Sequence, residues 1–213
     1  VDRQCGSSQQ SVHFAAAGVV AGHYDAVIAG GVESMSRTTM GASLANGGNP
    51  YPASFKSRYE RTPNQGIGAE MMATKWGLTR TQLDQFSLDS HEKAGAAQDS
   101  GAFDDQIVGI KDPEGNVVLS DEGIRRGTTL EKMAQLKPAF SEDGVIHAGN
   151  SSQISDGCGA LLFMSAEKAK SLGLKPIARV HTACLAGADP VMMLPAPIPA
   201  TQKVLARSGL SID

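Results

Sequence analysis

Aromatic side chains are scarce in this chain: Phe, Trp and Tyr together make up 5% of its 213 residues. Cysteine is scarcer, with Cys5, Cys158 and Cys184 only. That odd number and those spacings fit neither a disulfide framework nor a zinc site, which points to a reducing, intracellular and cytoplasmic setting. Charge of one sign is lacking too. The chain has 19 Lys and Arg against 22 Asp and Glu, a net charge of −3. This excludes the basic footprint of a nucleic-acid-binding protein. No apolar run approaches the roughly 20 residues that span a bilayer, and the start lacks the basic-then-apolar pattern of a signal peptide. Neither nucleic acid nor membrane is therefore expected as a partner. Internal repeats and low-complexity blocks are missing as well. Glycine is what the chain has in plenty, 24 residues, and it suits tightly packed α/β layers. A chain of this length buries about 70% of the surface it exposes when unfolded, enough for a real core.

Residues 8–22 predict a buried helix: Val12, Ala15, Ala16, Val19 and Val20 recur at helical spacing, and Gly22 can end it. Ala26–Ala29 then form a short apolar run, as in a strand covered on both faces, closed by Gly30 and Gly31. Helix, strand and glycine pair in succession read as part of a layered α/β fold. Residues 41–68 are rich in Gly, Asn and Pro and predict a long loop. Helices follow near 68–76 and 80–100, the second announced by a capping box of Thr79 and Gln82. QIVGI and VVLS, joined by KDPEGN, predict a hairpin. Thr128 with Glu131 marks another helix start, SDGCGALLFMS a buried strand, Ser165 a cap, PIARVHTACLAG a further strand and TQKVLARS a last helix before Gly209.

Cys5 stands out by its setting. It lies between polar Asp2–Gln4 and small Gly6–Ser8, just ahead of the first helix. Unpaired N–H groups and the positive end of the dipole favour negative charge at such a position, and negative charge is what a nucleophilic sulfur carries. Its own N–H is placed to help hold an oxyanion. By this argument alone an unreactive buried cysteine is the commoner outcome. No base is evident nearby. His13 is eight residues on, about 12 Å along a helix, and His23, His91 and His181 stand in no motif. His147 precedes the polar AGNSSQISDG loop and is a weak candidate.

The segment QCGSSQQSVHFAAAGVVAGHYDAVIAGGVESMS resembles the nucleophile segment of thiolases. So, in order, do GAEMMATKWGLTRTQLDQFSLDSHEKA, GIRRGTTLEKMAQLKPAF, HAGNSSQISDGCGALLFMS and LPAPIPATQKVLARSGLSI. Together they cover nearly the whole chain. The resemblance implies a thiolase-like layered αβαβα fold, incomplete in this chain. Residues 1–34 and 155–176 would belong to the N-terminal core, 35–154 to an inserted loop domain, and 177–213 to the start of the C-terminal core. It implies a coenzyme A-dependent acyltransferase, with Cys5 as the nucleophile that carries the acyl group. Arg125 matches an arginine that packs on the adenine end of coenzyme A, although a helix-flanking surface arginine is the plain alternative. Ser152 matches a serine that meets the pantetheine arm, Ala148 and Gly149 match backbone positions along the same tunnel, and Asn64 a further pantetheine-loop position. Coenzyme A and acyl-CoA enter as substrates, with no covalently bound cofactor and no metal. A homodimer or homotetramer is expected. Cys158 and Cys184 match no catalytic position and read as packing residues.

The chain departs from the family in what it lacks, which includes the family's opening strands and helices ahead of Cys5. The family's second half carries an NEAF segment, a GHP histidine that activates the nucleophile, and a CxG cysteine that serves as acid and base; none of these occurs in the 213 residues. With Val1 rather than Met at its start, the chain reads as a central piece of a longer protein, expected to be inactive or nearly so alone and to expose an apolar patch. A ketoacyl-synthase-like condensing enzyme and a non-catalytic coenzyme A-binding or assembly module are the alternatives. The thiolase-type segments from 66 to 152 argue against the first.

Overall fold

A computed structural model describes residues 1–45 and 47–212. Asn46, within the predicted loop, and Asp213, at the end of the predicted last segment, lie outside the described residues. The elements run α1 (Ser7–Val20), β1 (Ala26–Ser34), α2 (Ala53–Arg58), α3 (Gln65–Trp76), α4 (Arg80–Asp99), β2 (Ile110–Lys111), β3 (Val117–Val118), α5 (Leu130–Ala134), β4 (Asp156–Met164), α6 (Ala166–Ser171) and α7 (Pro197–Ser208). They divide into two compact units. One comprises Val1–Arg58, Ile154–Ala188 and Ala196–Asp213, the other Tyr59–Gln153 and Asp189–Pro195.

The first unit is built on one antiparallel pair. β1 and β4 align from Ala26 opposite Met164 to Ser34 opposite Asp156. α1 lies against this pair through its small residues. Ala15 and Gly18 are buried on the helix, and Ala29 on the strand, but Phe14 and Val20 are exposed, so the helix is not the buried one expected: only the side against the strands is covered. Gly31 is required by the closeness of that approach, because a Cβ there would sit 2.8 Å from the Ser8 Cβ. Ser11 Oγ donates to Gly30 O at 3.3 Å across the same contact.

The strands differ from expectation in three ways. Gly30 and Gly31 do not close the strand but lie within it. β1 and β4 are not covered on both faces: Ile28 is 71% exposed and Val32 78%. Residues 176–187 form no strand. They run as irregular chain whose carbonyls are taken by α7: Lys203 Nζ donates to Leu185 O at 2.8 Å and Arg207 Nη1 to Ala183 O at 3.2 Å. Cys184 is half-buried, with its Sγ 3.1 Å from Ala200 O. Cys158, expected as a packing residue, is exposed on β4.

The second unit gathers around α3 and α4, with Ala73, Met133 and Ile146 buried. The Thr79 capping box forms as expected, and Ser100 caps the end of α4, followed by Gly101 in the left-handed conformation. The hairpin of β2 and β3 also forms, shortened to two residues a strand. The predicted loop 41–68 contains α2 and the first turn of α3. The cap of α5 is Thr129, one residue later than expected; Thr128 instead donates its hydroxyl to Arg125 O at 2.9 Å. Among the described residues no helix is long and apolar enough to cross a membrane.

Candidate functional site

Cys5 occupies the middle of a single 3-10 turn, Gln4–Gly6, that runs directly into α1. It is exposed. The turn is wound tightly: Gly6 N donates to Arg3 O at 3.0 Å, and Arg3 N donates to Ser7 Oγ at 2.8 Å, whose hydroxyl donates in turn to Gln4 O at 2.9 Å. Gln4 has φ of +50°, a conformation that costs a non-glycine residue of order 1 kcal/mol or more and persists where the surroundings enforce it. Nothing in the residue type announces this. The signal available in the sequence was indirect, in a polar residue squeezed between an acidic start and a cysteine at a helix entrance. The exposed sulfur of Cys5 thus stands directly ahead of a 14-residue helix.

The other five residues singled out from the sequence lie in the second unit. Ala148, Gly149 and Ser152 sit on one short segment, residues 144–153, pinned from two helices. From α3, both Glu70 carboxylate oxygens accept, from Val145 N and Ile146 N at 2.9 Å each. From α4, Asp84 accepts from Asn150 Nδ2 at 3.0 Å. Ser152 and Ala148 are exposed on this fixed segment. Asn64 caps α3, its Oδ1 accepting from Ile67 N at 3.1 Å.

Arg125 is held by its backbone. Its N–H donates to His91 Nδ1 at 3.2 Å, and Gln153 Nε2 ties Gly123 O to the end of the Ser152 segment at 2.6 Å. Arg126, one residue on, is committed to α4. It makes a two-pronged contact with Asp99 at 2.8 and 2.9 Å and reaches Gln98 Oε1 at 2.7 Å. A groove of about 380 Å3 runs along this side, lined by Leu88, His91 and Gly95 of α4 and by Arg125, Gly127 and Thr128.

His147 corrects the weak expectation of a base. It is fully buried and bonded to Asp84, so it has no access to a nucleophile. Its role, and those of Glu70 and Asp84, escaped sequence reading because their partners are 63 to 76 residues away.

Comparison with known proteins decides the family. The model of the thiolase N-terminal domain matches residues 1–167. The chain belongs to the thiolase family. It is 43% identical to a 3-ketoacyl-CoA thiolase of Psychrobacter sp. (strain PRwf-1) and 42% identical to one of Saccharophagus degradans (strain 2-40), each over 100% of this chain and 55% of the relative. A solved structure described as acetyl-CoA acetyltransferase from Syntrophomonas wolfei matches with a TM-score of 0.81 and 33% identity, covering 98% of this chain and 55% of that one. The α/β architecture is thus that of a thiolase, in part. This thiolase-family chain spans about half the length of the curated relatives it matches.

Proposed function

We propose that these residues belong to a coenzyme A-dependent acyltransferase that cleaves 3-ketoacyl-CoA by thiolysis, or runs the reverse condensation. The observation that carries this reading is Cys5, exposed in a strained turn at the mouth of α1. In the degradative direction its sulfur attacks the 3-keto carbon. The bond between C2 and C3 breaks, the two-carbon fragment leaves as acetyl-CoA after gaining a proton, and a coenzyme A thiol then takes the acyl group from Cys5. A thiolate suits both halves, being a good nucleophile and a good leaving group, and it divides one hard step into two. The proton carriers lie outside these 213 residues, which hold no GHP or CxG segment.

In this reading Ser152, Ala148 and Gly149 face the pantetheine arm, Asn64 adds an amide donor, and Arg125 meets the adenine end, where a planar guanidinium can stack and reach phosphate. Coenzyme A is a substrate, and the protein carries no covalently bound cofactor. Residues 35–154 are the inserted loop domain, 1–34 with 155–176 part of the N-terminal core, and 177–213 the start of the C-terminal core. The whole protein is a cytoplasmic homodimer or homotetramer.

The test is alkylation of Cys5 by iodoacetamide, followed by mass spectrometry of the Cys5 peptide. Acyl-CoA is expected to slow labelling at Cys5 and not at Cys158. Incubation with acetoacetyl-CoA and coenzyme A is expected to give no turnover at enzymatic rates from these residues alone. Labelling of Cys5 that acyl-CoA leaves untouched, alongside measurable coenzyme A binding, would favour a non-catalytic binding module instead.

A further inference from the structure

We infer that His147 is a positioning residue for the segment carrying Ala148, Gly149 and Ser152, and that it acts through its Nδ1 acceptor. The inference rests on the reading of that segment as a pantetheine surface. His147 is 0% exposed and Asp84 2%, which makes them the buried ionisable pair that the proposed chemistry leaves unused. Gly149 N–H donates to His147 Nδ1 at 3.0 Å. A nitrogen that accepts carries no proton, so the ring's proton is on Nε2, and Nε2–H donates to Asp84 Oδ1 at 2.7 Å. The second oxygen, Oδ2, accepts from Arg80 Nε at 2.9 Å. Arg80 is itself fixed on the carbonyls of Met133 and Leu136, at 2.6 and 3.0 Å. His147 N donates to Asn150 Oδ1 at 2.8 Å, and Ser151 Oγ donates to His147 O at the same distance. The ring therefore has one available tautomer and one orientation.

The consequence falls on one peptide plane. In a trans peptide the N–H and the preceding C=O point in opposite directions. With the Gly149 N–H turned inward to the buried ring, the Ala148 carbonyl is turned away from it. The fit is close: a Cβ at Gly149 would lie 3.0 Å from His147 Cε1 and 2.7 Å from Leu136 Cδ1, so a side chain there would crowd the ring or push Leu136 aside. The outward carbonyl is an acceptor for a secondary amide N–H, the donor that a pantetheine arm offers. Fixing it before the ligand arrives lowers the ordering cost of binding.

Two substitutions separate this role from a merely structural one. Asparagine places its Oδ1 near the site of Nδ1 but cannot reach Asp84. Glutamine places its Nε2 near the imidazole Nε2 but removes the acceptor for Gly149. With the full 213-residue chain, coenzyme A affinity by calorimetry and melting temperature by circular dichroism are compared. His147→Asn is expected to lower the melting temperature yet keep affinity within threefold. His147→Gln is expected to weaken affinity at least tenfold. Affinities that simply follow the melting temperatures, or His147→Gln binding like the unmutated chain, would overturn the proposal. Ser152→Ala is the control: if the unmutated chain fails to bind coenzyme A, or Ser152→Ala changes nothing, the pantetheine reading falls and this inference with it. If either His147 variant does not fold, long-range 1H–15N correlation on the unmutated chain decides. The Nε2–H tautomer is expected, and an Nδ1–H tautomer overturns the proposal.

Discussion

Arg125 and Arg126 are neighbours of the same charge in different circumstances. Arg126 spends its guanidinium on Asp99, Gln98 and the Gly95 carbonyl, bracing the loop against α4. Among the described residues Arg125 is fixed through its N–H and C=O, to His91 and Thr128, and its side chain is exposed on the groove. The two should therefore fail differently. Arg126→Ala loses a half-exposed ion pair and its flanking hydrogen bonds, a loss of about 1 kcal/mol, which lowers the melting temperature by about 2–4 °C in a chain of this size. Arg125→Ala should leave the melting temperature unchanged and weaken coenzyme A binding about tenfold, or ~1.4 kcal/mol. Calorimetry and thermal melts on both variants check this, and the opposite ranking would assign the binding role to Arg126. The residue type gave no hint of the division. GIRRG shows two arginines, and only the 27-residue reach to Asp99 tells them apart.

At the scale of elements, the local signals were legible and the pairings were not. The capping box at Thr79, the cap at Ser165 and the glycine after α7 all stand where residue chemistry put them, because a cap is decided within four residues. The strand at 176–187 failed for the opposite reason. Its apolar content suits a sheet, but a strand exists only against another backbone, and here α7 side chains take its carbonyls. β1 and β4 do pair, over a separation of 122 to 138 residues that the sequence does not encode locally. Their far end is locked by Asp156, whose carboxylate accepts the Ser36 hydroxyl and, at 2.8 Å, the Ser36 N–H. These bonds, the hydroxyl's first, hold the Asp156 carboxyl below its ordinary value of 3.8. A lowered carboxyl stabilises the fold above its unfolded value, and that contribution is lost as pH falls through the lowered one. Ser36→Ala should accordingly lower the urea midpoint at pH 7, and the gap to the unmutated chain should narrow as the pH is brought toward 3. A gap that persists unchanged in acid would place the effect elsewhere in the turn.

On the scale of the whole molecule, the open face of the β1–β4 pair matters most. Residues alternate between faces of a strand. Ala29 and Gly31 lie on the face against α1, which leaves Ile28, Gly30 and Val32 on the other with their partners Leu162, Ala160 and Cys158. Ile28, Val32 and Leu162 are 71%, 78% and 58% exposed. An apolar strip of this kind beside two open strand edges is uncommon on a stable monomer, where such faces are covered. The relatives, of which this chain matches 55%, have further chain with which to cover theirs. The expectation is direct. The isolated 213 residues should bind an anilinonaphthalene sulfonate dye with strong, blue-shifted fluorescence. The double substitution Ile28→Lys, Leu162→Glu places opposite charges on facing positions of that strip. It should cut the dye signal by more than half while leaving far-ultraviolet circular dichroism unchanged. Dye binding that the pair of charges does not reduce would locate the exposed apolar surface away from β1 and β4, and the strip would then be covered in solution by this chain's own residues.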